Sequence, residues 1–268
     1  MYKGFEIIGL SKDSWGGEKY FNKSIEYGKN SLLDYTNLIN EELPKLIIND
    51  TILDGNRLAS DWFKDIKADV FISHSHSDLP LALALAGWLY KYWKIQSFID
   101  SQVWGSADQL LKKIDVKYSR NKLSENNFSY EKRNFTTSHV HNILLMSIAR
   151  VINQTECFIF LNTNRAIPIK QGIEESTLSP WLYSEIEISS MLKEQPLTRT
   201  TYFSKREKTK PLFESATELF NTAYKLNKDH LLPIDKNQLY YLQNNYSSVN
   251  KYQLLDLLYE LHENKIIL

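Results

Sequence analysis

Apolar positions fall into two kinds of pattern along this chain, short unbroken runs and longer helical stripes, and the two kinds alternate. Val70-Phe71-Ile72 is a strand-forming run that stops abruptly at Ser73, His74 and Ser75. Pro80 then stands where a first helical turn begins, and an apolar helix over 79–93 follows. The Leu-Ala alternation of that segment imitates a strand, but its length and its proline favour helix. A second apolar run, 95–99, ends at Asp100 and opens into the loop 101–107. The spacing predicts a helix over 108–118, whereas 119–137 is mostly polar without an apolar period and reads as a long insertion. Ile143, Leu144, Ile148, Val151 and Ile152 mark the inner face of a helix over 140–152, and 157–161 is a third buried run. A helix over 180–193 follows, then a late strand at 200–203. This succession predicts an α/β fold, a parallel sheet with helices on both faces. In open sheets of that kind ligands bind just past the carboxyl ends of the strands. The hydroxyls, imidazoles and carboxylate of Ser73 to Asp78 therefore stand where such a fold keeps its chemistry.

The flanks follow the helical period. Leu32, Leu33, Leu38, Ile39, Leu43 and Leu46 recur at helical spacing before Asp54-Gly55-Asn56 breaks the pattern as a turn. Leu212, Phe213, Leu219, Phe220 and Tyr224 form one late stripe, and Tyr252, Leu254, Leu255, Leu258 and Leu261 another. The expected organisation is a mainly helical N-terminal extension over 1–65, a central α/β domain over 66–204 and a helical C-terminal extension over 205–268. There is no internal repeat.

Composition narrows the functional classes. With 268 residues, 43% of them hydrophobic, the chain can bury a substantial core. Its formal net charge of zero argues against a dedicated nucleic-acid binder, whose affinity rests on neutralising phosphates. The lysines and arginines between 112 and 133 read as a solvated helix end and loop. Cys157 is the single cysteine, so no intramolecular disulfide is possible, and its apolar neighbours predict a buried, inert thiol. No apolar segment is long enough to span a bilayer, and the first residues lack a signal-peptide layout. A cytoplasmic protein without membrane or nucleic-acid partners is expected.

Familiar catalytic signatures are missing. Ser-His-Ser-His-Ser-Asp stands where a phosphate-binding fold would carry a glycine-rich loop, and there is no Gly-x-Ser-x-Gly elbow or His-Glu-x-x-His helix. His74, His76 and Asp78 lack a further partner at metal-ligand spacing, and loop hydrogen bonding is the better reading of them. The segment Ser179-Pro180-Trp181-Leu182-Tyr183-Ser184-Glu185 is more informative. Ser179 and Pro180 start a helix, and Trp181 and Glu185, four apart, share one side of it. On spacing alone the pair fits two readings. One is a core indole beside a solvated carboxylate; the other is a platform that stacks a flat ring and holds a sugar hydroxyl.

Three segments resemble the Toll/interleukin-1 receptor (TIR) domain family, in particular its bacterial members. Asp69-Val70-Phe71-Ile72-Ser73 followed by Asp78 resembles the family's first box. Phe98-Ile99-Asp100 with the loop 101–107 resembles its second strand and mobile loop. Ser179-x-Trp181-x-x-x-Glu185 is similar to its third-helix motif, with Leu182 where members often have cysteine. The resemblance covers about residues 67–203, half of the chain. It implies a flavodoxin-like parallel sheet and, for members that are enzymes, cleavage of NAD+ at the nicotinamide–ribose bond. Glu185 then matches the catalytic glutamate and Trp181 the nearby stacking residue. Ser73 and His74 either contact the nicotinamide or its ribose, or cap the strand end. Asp100 bonds either substrate or the loop backbone, and Trp104 stacks either on adenine or on a neighbouring subunit. NAD+ is the substrate, and no cofactor or metal is expected. Members generally work as homo-oligomers. The compact form resembles the TIR subunit of Thoeris antiphage systems, which hands a signal to a separate effector protein. A cyclic or conjugated ADP-ribose is therefore the expected product. The alternatives are an effector that merely depletes NAD+, a non-enzymatic adaptor acting through homotypic contacts, and a nucleoside-processing enzyme of related topology.

Overall fold

Five strands build one sheet in a computed structural model of the protein. They are β1 (Lys3–Ile8), β2 (Val70–Ser73), β3 (Ser97–Ile99), β4 (Cys157–Asn162) and β5 (Leu231–Asp235). Their spatial order is β5-β1-β4-β2-β3, and every pairing is parallel. The helices are α1 (Glu18–Glu42), α2 (Leu79–Trp93), α3 (Tyr130–Gln154), α4 (Pro180–Met191), α5 (Lys236–Tyr246) and α6 (Lys251–Glu263). The structure describes residues 1–42, 47–48, 52–53, 66–101, 108, 111–112, 114–121, 124–168, 175–195, 197 and 223–263. The chain divides into two compact units. One comprises Met1–Ser31, Lys67–Ile99 and Ile152–Leu268 and holds the whole sheet; the other comprises Leu32–Ile66 and Asp100–Val151.

The α/β class with a flavodoxin-like parallel sheet is as the sequence predicts, and the β3-β2-β4 portion has the expected winding. The flanks differ from the expectation. Lys3–Ile8, inside the stretch read as a helical lead-in, is a strand between β4 and β5. Its alternation of Gly4 and Glu6 with Phe5 and Ile7 has the period of a strand, but a buried glutamate masks the apolar signal. Leu231–Asp235, in the stretch read as a helical tail, is the edge strand beyond it. Pro233 is tolerated there because an edge strand needs ladder donors on one side only. The sheet therefore extends beyond the boundaries expected at residues 66 and 204.

Smaller differences have local causes. The supposed insertion 119–137 contains an antiparallel pair, Arg120–Asn121 with Ser124–Phe128, and the first turns of α3. Tyr130 and Phe135 on those turns are 79% and 67% exposed, so no inner stripe announces the helix. Positions 108, 111, 112 and 114 of the expected 108–118 helix are helical, and 115–119 widen into a π-turn. The expected strand at 200–203 and the stripe from Leu212 to Phe220 lie outside the described residues.

Strand alternation divides the core. Phe5, Ile7, Ile159 and Ile234 face one way, where Leu85 and Leu89 of α2, Leu239 and Leu242 of α5, and Leu254 and Leu258 of α6 meet them. Tyr259 of α6 stacks on Phe5 with ring centroids 5.9 Å apart and donates its hydroxyl to Glu156. On the other face Phe98, Phe71 and Phe158 form a row, with successive centroids 5.4 and 5.6 Å apart. Each such buried side chain contributes roughly 1.5–3 kcal/mol. Cys157 is fully buried, and burial pushes its thiol well above the usual range, as expected of an inert residue. No helix among the described residues is long and apolar enough to cross a membrane.

Helices α1 and α2 approach each other through glycine. A Cβ built on Gly87 falls 1.9 Å from the Ser24 carbonyl oxygen, and one on Gly28 falls 2.1 Å from that of Leu83. Backbone cannot yield as a side chain can. In a helix Gly→Ala ordinarily gains up to about 1 kcal/mol. Here overpacking reverses the sign. Gly87→Ala is expected to destabilise the protein by about 2 kcal/mol, read as a lower midpoint in chemical denaturation.

Candidate functional site

Strand β2 delivers its last residue, Ser73, to the carboxyl edge of the sheet, on the face that carries Phe71. Helix α4 covers this residue. The Ser179 hydroxyl accepts the Leu182 N–H at 3.3 Å and Pro180 occupies the first turn, so the helix begins where the sequence predicts. Leu182, Glu185, Ile186 and Ser189 form its buried side. Glu185 is only 1% exposed although it carries a carboxylate.

The Ser73 hydroxyl donates to Glu185 Oε2 at 2.6 Å, joining residues 112 apart in sequence. A bond this short to a carboxylate is of the strong, charge-assisted kind. It offsets part of the cost of removing the carboxylate from water and fixes the direction of the side chain. Ser73→Ala removes this donor. The substitution is expected to cost about 1.5 kcal/mol, measured by denaturant unfolding, because a buried acceptor then loses its partner.

His74 and Trp181 neighbour this pair in the chain. His74 follows Ser73 directly and is buried. Trp181 stands one helical turn before Glu185 and is half-buried. Asp100 follows β3, is buried, and belongs to the second compact unit. Trp104 lies outside the described residues.

Sequence reasoning missed two polar groups. The first pins neighbouring strand ends together. Thr163, just past β4, donates its hydroxyl to Asp78 Oδ2 at 2.5 Å. Arg165 reaches the Ser77 carbonyl at 2.9 Å and Asp78 at 3.5 Å. Asp78 is thereby committed to loop anchoring, and no group of three metal-ligating side chains occurs among the described residues. The polar run Asn162-Thr163-Asn164 after an apolar strand was the available signal.

The second group centres on Glu6 of β1. Its Oε1 accepts from Asn162 Nδ2 and from Lys228 Nζ, each at 2.7 Å, and Lys228 also lies 3.5 Å from Glu175. Ser73 pairs with Phe160, and Phe160 with Glu6, so Glu6 shares the face of Ser73 two strands away. At the usual strand spacing their Cα atoms are about 10 Å apart. Nothing in the sequence marks Lys228 as the partner of Glu6, because the pairing spans 222 residues.

A serine and a histidine also meet on α4. Ser189 Oγ lies 2.7 Å from His230 Nε2 and 2.7 Å from the Ile186 carbonyl oxygen. The pair ties α4 to the turn before β5.

No family model, curated protein or solved structure matches this chain.

Proposed function

We propose that this protein cleaves the nicotinamide–ribose bond of NAD+, with Glu185 as the catalytic carboxylate. The observation that carries the reading is the buried Glu185 carboxylate held by Ser73 at the carboxyl edge of the sheet. Structural glutamates on helices normally face water; one kept inside and aimed by a hydroxyl is poised for electrostatic work. The resemblance of the segments around Ser73, Asp100 and Glu185 to TIR domains supports the same chemistry.

In the proposed reaction the glycosidic C1′–N bond breaks and its electron pair leaves with nicotinamide, which departs neutral. The ribose acquires oxocarbenium character. The Glu185 carboxylate stabilises that charge in surroundings that exclude water, where a fixed anion acts strongly. Because the departing pyridinium already carries a positive charge, no general acid is needed at the leaving group. Ser73 holds the carboxylate in position, and Trp181 stacks against a ring of the substrate. Water adds at C1′ and loses a proton to give ADP-ribose; a hydroxyl of the same molecule in its place gives a cyclic product, and a separate acceptor, losing its proton, a conjugated one. We assign a cyclic or conjugated ADP-ribose as the product, made by an assembly of this chain as a signal for a separate effector in antiphage defence.

The direct test is incubation of the purified full chain with NAD+ over a range of protein concentrations, with products resolved by chromatography and mass spectrometry. Release of nicotinamide in step with an ADP-ribose species supports the reading. Intact NAD+ at high protein concentration, including after addition of phage-infected lysate, overturns it in favour of a non-enzymatic adaptor.

A further inference from the structure

A groove lies on the face of the sheet opposite Ser73. Helices α2 and α5 pack over Phe5, Ile7 and Ile159, whereas Ser73, Phe160 and Glu6 point the other way. Between α1, α2, α5 and the segment after β1 the surface encloses a cavity of about 440 Å³. That volume is in the range of small-molecule sites. Every residue of its lining belongs to the compact unit that holds the sheet.

The chemistry of the lining is one-sided. Three lysines, Lys23, Lys91 and Lys236, border it and no carboxylate does. Three lysines outside the groove have acidic partners, Lys228 in Glu6, Lys251 in Asp69 and Lys12 in Glu18. The groove lysines have none among the described residues. Lys91 instead donates to the Tyr92 hydroxyl at 3.2 Å, with its Nζ 5.9 Å from the Tyr27 centroid and 4.7 Å from that of Tyr92. Such contacts hold a cation in place without neutralising it.

The remaining surface is aromatic. Trp15, Trp88 and Tyr240 add flat faces to those of Tyr27 and Tyr92. Trp88 spends its N–H on Gln243 Oε1 at 2.6 Å. The Trp15 N–H is shielded from solvent and has no hydrogen-bond partner among the described residues. A buried donor without an acceptor is costly unless a ligand supplies one. Flat faces, bordering cations and an unused donor select a ligand that is itself flat, anionic and rich in acceptors.

We propose that this groove is a second ligand site, which takes a small planar ring carrying a phosphate, as in a mononucleotide. The ring stacks among the aromatic side chains, the Trp15 N–H donates to a ring or phosphate acceptor, and the lysines neutralise the phosphate. A ligand bound there does not touch Glu185, because the sheet lies between them. The site is therefore independent of the activity proposed above.

The test is calorimetric titration of the purified full chain with AMP, UMP and flavin mononucleotide, and with adenosine and inorganic phosphate as controls. At least one of the three nucleotides is expected to bind. For AMP, adenosine should bind about tenfold more weakly or worse, and phosphate alone should not bind measurably, since each lacks one half of the recognition. Lys91→Gln combined with Lys236→Gln should weaken nucleotide binding about tenfold and leave the melting temperature unchanged, because both side chains are exposed. Raising the salt concentration should weaken binding of the unaltered protein in the same direction, which tests the charge without mutation. Trp181→Ala should leave this binding intact. Absence of binding by all three nucleotides at millimolar concentration overturns the proposal. So does binding that survives the lysine substitutions or is lost in Trp181→Ala, since the nucleotide then sits on the Glu185 face of the sheet.

Discussion

Glu185→Gln is expected to lower the proposed NAD+ cleavage by about 10²- to 10³-fold while the protein stays folded. Glutamine matches glutamate in shape, and its amide oxygen can still accept the Ser73 hydroxyl that now lies 2.6 Å from the carboxylate. The packing of α4 through Leu182 and Ile186 is untouched. What disappears is the negative charge. An electrostatic group aimed at charge developing in a transition state is worth about 3–4 kcal/mol, which sets the size of the effect. Nicotinamide release and thermal unfolding, measured on the same preparation, separate chemistry from structure. A variant that melts normally and still turns over NAD+ at the original rate would mean that Glu185 serves only to anchor α4.

Lys228→Met should produce the largest loss of stability, about 3 kcal/mol. The ammonium of Lys228 and the carboxylate of Glu6 meet at 2.7 Å with side chains only 13% and 10% exposed. Methionine preserves the volume but leaves Glu6 charged inside the sheet with Asn162 as its remaining partner. Most of the cost is that stranded charge rather than the lost attraction. Glu6→Gln added to Lys228→Met should therefore restore most of the stability, which denaturant unfolding of the two variants can compare. If the single and double variants unfold at the same midpoint, the ion pair contributes nothing beyond packing.

The candidate site illustrates how far local signals reach. Ser179 and Pro180 mark the start of α4, and the spacing of Leu182 and Ile186 shows which side is buried. Glu185 falls beside those residues by the same periodicity, yet the sequence leaves two readings open. A carboxylate in that position goes inside only if another element supplies a donor, and the donor, Ser73, lies 112 residues earlier. Glu6 poses the same difficulty in a strand. Its alternation with Phe5 and Ile7 is visible, but without Lys228 and Asn162 in view a glutamate reads as solvated.

The sequence by itself determined the elements whose causes are local. These include β2 and β4 as apolar runs, α2 and α4 with their prolines and the Ser179 cap of α4, and the parallel α/β class that their alternation requires. Only the tertiary structure decided that Lys3–Ile8 enters the sheet between β4 and β5, that Leu231–Asp235 closes its edge, and that Glu185 meets Ser73 instead of water. Periodicity and capping act over a few residues, whereas strand order and the pairing of buried charges are settled by partners far apart in the chain. The free energy of burying a polar group has no definite sign until that partner is in place.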